Sequence, residues 1–240
     1  MITIFLHALK RWRWQILGWG CGLALTALYL MWLYEPMQTT QADLKNLLDA
    51  YGEEMLAFFG GTVDIFSPGG YLNFTFFSYI PLVSGILALL LGSGLLVGDE
   101  EKGTLDLILA YPVSRSVLFW GRLLALVAVL AGTLVITWAG FAIGSIWVKW
   151  EITIWELLLP HLSLLVIMVW FAALAVFLSL LLPSRAAAAS LSGMLLVASY
   201  FITSLASINN KPETLNQFSP LKYYQGGLAL KEGLNWEYFL

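Results

Sequence analysis

From Tyr71 to Gly98 the chain carries no charged residue, and from Trp14 to Tyr34 it carries none either. A hydrocarbon core of about 30 Å is crossed by roughly 20 helical residues, so each run is long enough to span a bilayer. Three further stretches, 117–147, 152–183 and 186–208, have the same apolar character. The expected architecture is an all-α polytopic membrane protein with spans at 14–34, 71–98, 117–147, 152–183 and 186–208. Composition agrees, with 60% hydrophobic and only 11% charged residues, against about 25% charged in soluble domains. Water could not wet a surface built from such a chain. At 1.5 Å per residue the third and fourth spans would measure on the order of 45 Å, so they should tilt or protrude.

The first run follows Lys10, Arg11 and Arg13 but exceeds the ~7–15-residue core of a signal peptide, and no small-x-small cleavage site follows it. It reads as an anchor that stops at Glu35-Pro36, because proline disfavours helix for its predecessor. Orientation follows from the basic residues. With the N-terminus inside, the short cytoplasmic pieces hold Lys10, Arg11, Arg13, Lys102, Arg115, Arg122 and Arg185, while Lys45, Lys149, Lys211, Lys222 and Lys231 spread over the longer outer loops at 35–70 and 209–235. The expected location is therefore the inner (plasma) membrane, multi-pass, with a cytoplasmic N-terminus. The last residues, Asn235-Trp236-Glu237-Tyr238-Phe239-Leu240, read as the start of another apolar segment, so a sixth helix is expected beyond them.

Three segments do not span. Residues 1–12 set Ile4, Phe5, Leu6, Leu9 and Trp12 against His7, Lys10 and Arg11, a pattern suited to a helix lying in the inner interface. Between the first two spans, Leu44, Leu47, Leu48, Tyr51, Met55 and Phe58 recur at helical spacing, with Thr40 and Asp43 as a capping signature and Gly60-Gly61 as a stop. That spacing predicts an external amphipathic helix. The tail from Asn209 is broken by Pro212, Pro220, Gly226, Gly227 and Gly233, and could dip into the membrane only if protein or water satisfies its backbone.

Catalytic signatures are poor. Gly-Lys never occurs, so the chain has no phosphate loop for ATP. His7 and His161 lack metal-ligand spacing, and the lone Cys21 permits neither an internal disulfide nor a cysteine-rich zinc cluster. A net charge of −3 gives no footprint for nucleic acid. No acid, base or histidine lies near the middle of a span, where ion-coupled carriers need one. Glu156 and His161 reach only the outer end of the fourth span, where a structural role is expected. Gly18/Gly22, Gly94/Gly98 and Gly140/Gly144 permit close helix contact.

The informative stretch is the cytoplasmic connection at 99–115. Asp99, Glu100 and Glu101 crowd the expected end of the second span, where negative charge opposes the helix macrodipole. Gly103 can end that helix, Thr104 to Tyr111 is an apolar piece too short to cross, and Pro112 turns the chain before Ser114 or Ser116 caps the next helix. In Glu100-Glu101-Lys102-Gly103-Thr104, the leucine-rich Leu105 to Ala110, Pro112-Val113-Ser114-Arg115 and Gly121-Arg122, the sequence resembles the membrane subunit of type-2 ABC exporters. That resemblance implies six helices per subunit, a second permease subunit as homo- or heterodimer partner, and two cytoplasmic ATPase subunits that bind ATP and Mg. This chain itself would be no enzyme and would hold no cofactor. The resemblance further implies that Gly103, Thr104, Leu105, Asp106, Leu107, Ile108, Leu109 and Tyr111 form a coupling helix that docks the ATPase. Glu100, Glu101, Pro112, Arg115 and Arg122 are the candidate hinge residues. The expected activity is ATP-driven export of a lipophilic substrate. A nucleotide-independent carrier or channel, or a membrane scaffold, remains the alternative at this point.

Overall fold

A computed structural model describes residues 1–41, 65–101, 103–104, 110, 114–148, 150–208 and 216–239. Among them every regular element is a helix. Helix α1 (Ile2–Thr39) is followed by α2 (Pro68–Leu72), a π-helical turn (Asn73–Phe77), α3 (Ile80–Ser93) and α4 (Val97–Glu100). Then come α5 (Arg115–Gly144), α6 (Leu158–Leu181), α7 (Arg185–Ala206) and a C-terminal segment of short turns around α8 (Ala229–Glu232). Four of these helices are long and apolar enough to cross a membrane, and the bent pair Pro68–Phe77 and Ile80–Ser93 makes up to five.

The boundaries differ from expectation in instructive ways. Residues 1–12 are not a helix of their own but the first turns of α1, which continues without interruption into the first span. At 1.5 Å per residue α1 measures on the order of 57 Å, so much of it lies beyond the hydrocarbon core. Pro36 does not stop α1, which runs on to Thr39. The Thr39 and Thr40 hydroxyls donate to the Pro36 carbonyl at 2.7 and 3.0 Å, closing the last turn. Thr40 is the C-cap of α1, and residues 44–58 of the expected external helix lie outside the described ones. The second span is bent by 41° between the π turn and α3. Pro81 in the first turn of α3 lacks the N–H that a straight helix would use there. The Ser78 amide and hydroxyl both reach the Asn73 carbonyl instead.

The helices sort into two groups. Helix α1 packs along α5, while α3, α6 and α7 pack on one another, and α5 meets α6 across the seam. Glycine makes the first contact close. A Cβ at Gly140 would stand 2.7 Å from the backbone of Ala24, and one at Gly144 would stand 2.7 Å from Met31. The Gly140/Gly144 pair thus serves packing within the chain, whereas Gly18 and Gly22 meet nothing within 4 Å. Gly140→Leu should therefore lower stability by about 1–3 kcal/mol, since backbone cannot move aside as a side chain can. Gly132→Ala, whose new methyl meets Ile16 at an ordinary 3.5 Å, should leave the thermal midpoint in detergent unchanged or slightly raised.

At the far end of the bundle, Phe76, Phe77, Phe141 and His161 form an aromatic knot. His161 is buried with Nδ1 2.7 Å from the Leu157 carbonyl, a core residue rather than an exposed base. Just before α6, Thr153 and Glu156 exchange bonds: Glu156 Oε2 accepts from the Thr153 amide at 2.7 Å, and Thr153 Oγ1 accepts from the Glu156 amide at 3.3 Å. This capping-box exchange holds the Glu156 carboxyl below its usual range and gives it the structural role expected of it. The C-terminal segment packs back on the same end. Gln225 N donates to Ser163 Oγ at 3.0 Å, Gly227 N to Asn73 Oδ1 at 3.1 Å, and Ser219 Oγ to the Ser199 carbonyl at 3.1 Å. Side chains of α6 and the π turn thus supply partners for its irregular backbone, and the α7 backbone accepts from one of its side chains.

Candidate functional site

At the opposite end, the chain leaves α3 through Gly94 and enters α4. The acids that were expected to crowd the C-terminus of the second span do not sit there. α3 ends at Ser93, and Asp99 and Glu100 fall in the first turn of the separate α4. The break frees carbonyls, and arginines take them: Arg185 Nη2 donates to Leu90 O at 3.0 Å, and Arg122 Nη1 donates to Leu95 O at 2.9 Å. Cations at the end of α3 fit its macrodipole, so the apparent conflict disappears.

Helix α4 ends as the sequence anticipates. Gly103 has φ +64, a backbone conformation that glycine adopts at no steric cost. Gly103 N donates to Glu100 O at 2.9 Å and Thr104 N to Asp99 O at 2.9 Å. These two bonds are the paired bonds of a Schellman stop, and the Thr104 hydroxyl adds a third to Asp99 O at 3.2 Å. Asp99 and Glu100 are thereby tied to Gly103 and Thr104 in one compact turn. Helix α5 starts with Ser114 Oγ accepting from Val117 N at 3.3 Å, the first of the two serines considered for that cap.

Asp99 is the centre of the site. It is buried, and it bridges two helices of the other group: Oδ1 accepts from Arg11 Nη1 of α1 at 3.1 Å, and Oδ2 lies 2.5 Å from Arg122 Nη2 of α5. The second contact is an ion pair out of line for a hydrogen bond. Burial pushes the Asp99 carboxyl up, but the bond from Arg11 and the charge of Arg122 outweigh it and hold the carboxyl below its usual range. A depressed folded pKa means that the pairing is fully present above the unfolded value of about 3.9 and is lost only as pH falls through the lower folded one. Neutral and mildly acidic pH therefore leave this cluster closed.

The other candidate residues fall around it. Arg122 pairs with Asp99 and not with Glu100 or Glu101. Glu100 is exposed, and Arg115 is exposed at the start of α5. Glu101 Oε1 accepts from the Arg185 amide at 2.8 Å, placing a carboxylate at the N-terminus of α7 beside the Ser184 cap. Gly103 and Thr104 are in the turn described above. Leu105, Asp106, Leu107, Ile108, Leu109, Tyr111 and Pro112 lie outside the described residues. Sequence reasoning missed Asp99 as the partner of Arg122, and missed Arg11 and Arg185 altogether. Arg11 stands 88 residues from Asp99 along the chain, and the only local signal was its place on the basic face of the N-terminal helix.

A family model described as ABC-2 family transporter protein matches residues 2–233. No curated protein and no solved structure matches the chain. The matched stretch takes in every helix long enough to span a membrane and the whole Asp99 cluster. The chain belongs to the ABC-2 family of transporter proteins, as a multi-pass membrane permease component of an ABC transporter.

Proposed function

We propose that this permease exports a lipophilic substrate and that its energy comes from ATP and Mg bound to two separate cytoplasmic ATPase subunits. A second permease chain, identical or not, completes the transporter. The N-terminus is cytoplasmic and the membrane is the inner (plasma) membrane. In this reading residues 103–111 are the coupling segment that docks an ATPase subunit. Family membership favours it over a nucleotide-independent carrier, which would also want the titratable midplane residue that the sequence lacks.

The observation that carries the reading is the place of Asp99. It sits in the turn at the base of the coupling segment and ties α3, through α4, to α1 and α5 of the other helix group. A push on the segment reaches a rigid Schellman turn first, then the ion pairs, then the close α1 and α5 packing. ATP binding can shift the permease only if the closed ATPase pair favours one arrangement of the two groups over the other. The Asp99 cluster is the element that would differ between them, by staying shut or by opening.

Orientation is tested separately. Single cysteines at Asn46 and Asn210 in a Cys21→Ser background should react with an impermeant thiol reagent on intact cells, while a cysteine at Lys102 should be protected. Protection of both outer positions with labelling at residue 102 would invert the topology. Co-purification in mild detergent tests the partner: the complex should hydrolyse ATP and the chain alone should not. ATPase activity from the chain with no partner present would overturn the proposal.

A further inference from the structure

A cavity of about 720 Å³ opens at the end of the bundle that holds Asp99, between the first four turns of α1, the end of α3 and the starts of α5 and α7. Its volume is within the usual range of about 300–1,000 Å³ for small-molecule sites. Three guanidiniums line it, those of Arg11, Arg122 and Arg185. Asp99 is engaged by the first two. Among the described residues the Arg185 guanidinium meets no carboxylate, because Glu101 reaches its backbone nitrogen instead. The cavity thus holds a surplus of positive charge with planar donors left over, the chemistry that suits a phosphate oxyanion.

The remaining wall combines Thr3, His7 and Gln15 with a larger apolar part. Trp12, Leu91 and Leu118 line it, and the flanking surface of α1 exposes Ile2, Leu6 and Trp14 as a lipid-facing helix would. A ligand that fits must therefore carry an anionic head and an apolar body. Basic pockets between transmembrane helices are where phosphate headgroups of lipids bind. Gly98 supplies a further sign that the space is kept open. It is buried and lines the cavity, yet a Cβ built on it meets nothing within 4 Å.

We infer that this cavity binds the phosphate group of an amphiphile, with the phosphate held by Arg185 and Arg11 and the acyl body along Trp12 and Leu118. A phosphate there would sit beside Arg11 and Arg122 and compete with Asp99 for their charge, so occupancy weakens the Asp99 bridge. Lipid binding in detergent does not depend on the ATPase or on orientation, so its failure is distinct from failure of the transport proposal.

The test uses the full chain, delipidated in mild detergent, carrying Gly98→Cys in a Cys21→Ser background. A thiol reagent labels residue 98, and dioctanoyl phosphatidic acid, dioctanoylglycerol and inorganic phosphate are compared as protectants. Phosphatidic acid should slow labelling about tenfold, a charge-assisted effect that Arg185→Gln removes, while the other two should not slow it. Equal protection by dioctanoylglycerol would make the site merely apolar, and equal protection by inorganic phosphate would make it a soluble-anion site. Either result overturns the inference, as does labelling that no probe slows. Native mass spectrometry of the chain without the cysteine should show one phosphatidic acid retained per chain, and Gly98→Leu, which fills the space, should lose it; retention by Gly98→Leu would place the lipid elsewhere.

Discussion

Asp99→Asn is expected to cost about 3–5 kcal/mol of stability, because it leaves the Arg122 guanidinium buried without a counter-charge. Arg122 is only 8% exposed, and its bond to the Leu95 carbonyl does not neutralise it. The contrast within the cluster is the diagnostic part. Arg11 keeps 43% of its side-chain surface exposed, so Arg11→Gln should cost no more than about 1 kcal/mol, the range of solvent-screened pairs. Removing both buried charges in Asp99→Asn with Arg122→Met should restore most of the loss, since an apolar replacement of a buried pair is often nearly neutral. Thermal midpoints of the four proteins in one detergent measure this directly. Equal midpoints for Asp99→Asn and the wild type would mean that the bridge is not a buried one.

Leu105→Asp and Ile108→Asp are expected to leave membrane insertion intact and to release the ATPase partner. Leu105, Ile108 and Leu109 share one helical face and Leu107 with Tyr111 makes another, so a helix here would be apolar on more sides than water tolerates. A groove on a soluble partner is a fitting cover for a short helix with apolar anchors. A carboxylate buried there without a partner costs several kcal/mol. At about 1.4 kcal/mol per tenfold, that loosens the complex by a factor on the order of 100 or more. Arg122→Glu, which would bury a second carboxylate against Asp99, should destabilise the chain at least as much as Asp99→Asn. Normal ATPase retention by both aspartate variants would make the segment a lipid-facing loop.

The spans were legible because a charge-free apolar run has few alternatives, and α5, α6 and α7 begin and end close to where charge and proline mark the sequence. The bend in the second span was not legible as such. The run from Tyr71 to Gly98 is uniformly apolar, so hydropathy passes smoothly through the π turn, and Pro81 was the one local sign of it. Pro36 misled in the other direction, because α1 runs through it to Thr39, where the Thr39 and Thr40 hydroxyls close the last turn. At the site, Gly103 and Ser114 announced a stop and a start that depend only on neighbours in sequence. In the sequence Asp99 is one of three adjacent acids, and the hinge candidates there are Glu100 and Glu101 rather than Asp99. What distinguishes it is burial between Arg11 and Arg122, a property of how α1, α4 and α5 meet that no local pattern encodes.

The central claim is that ATP binding on the partner reaches the two helix groups through Asp99. Pulsed electron paramagnetic resonance can follow it with nitroxides on Arg13 of α1 and Leu181 of α6, both exposed, in a Cys21→Ser background. In the ATPase-bound complex, a non-hydrolysable ATP analogue with Mg should shift the distance between these labels. In Asp99→Asn, with the ATPase still bound, the shift should vanish. The same nucleotide-dependent shift with and without Asp99, or no shift in either protein, would contradict the claim.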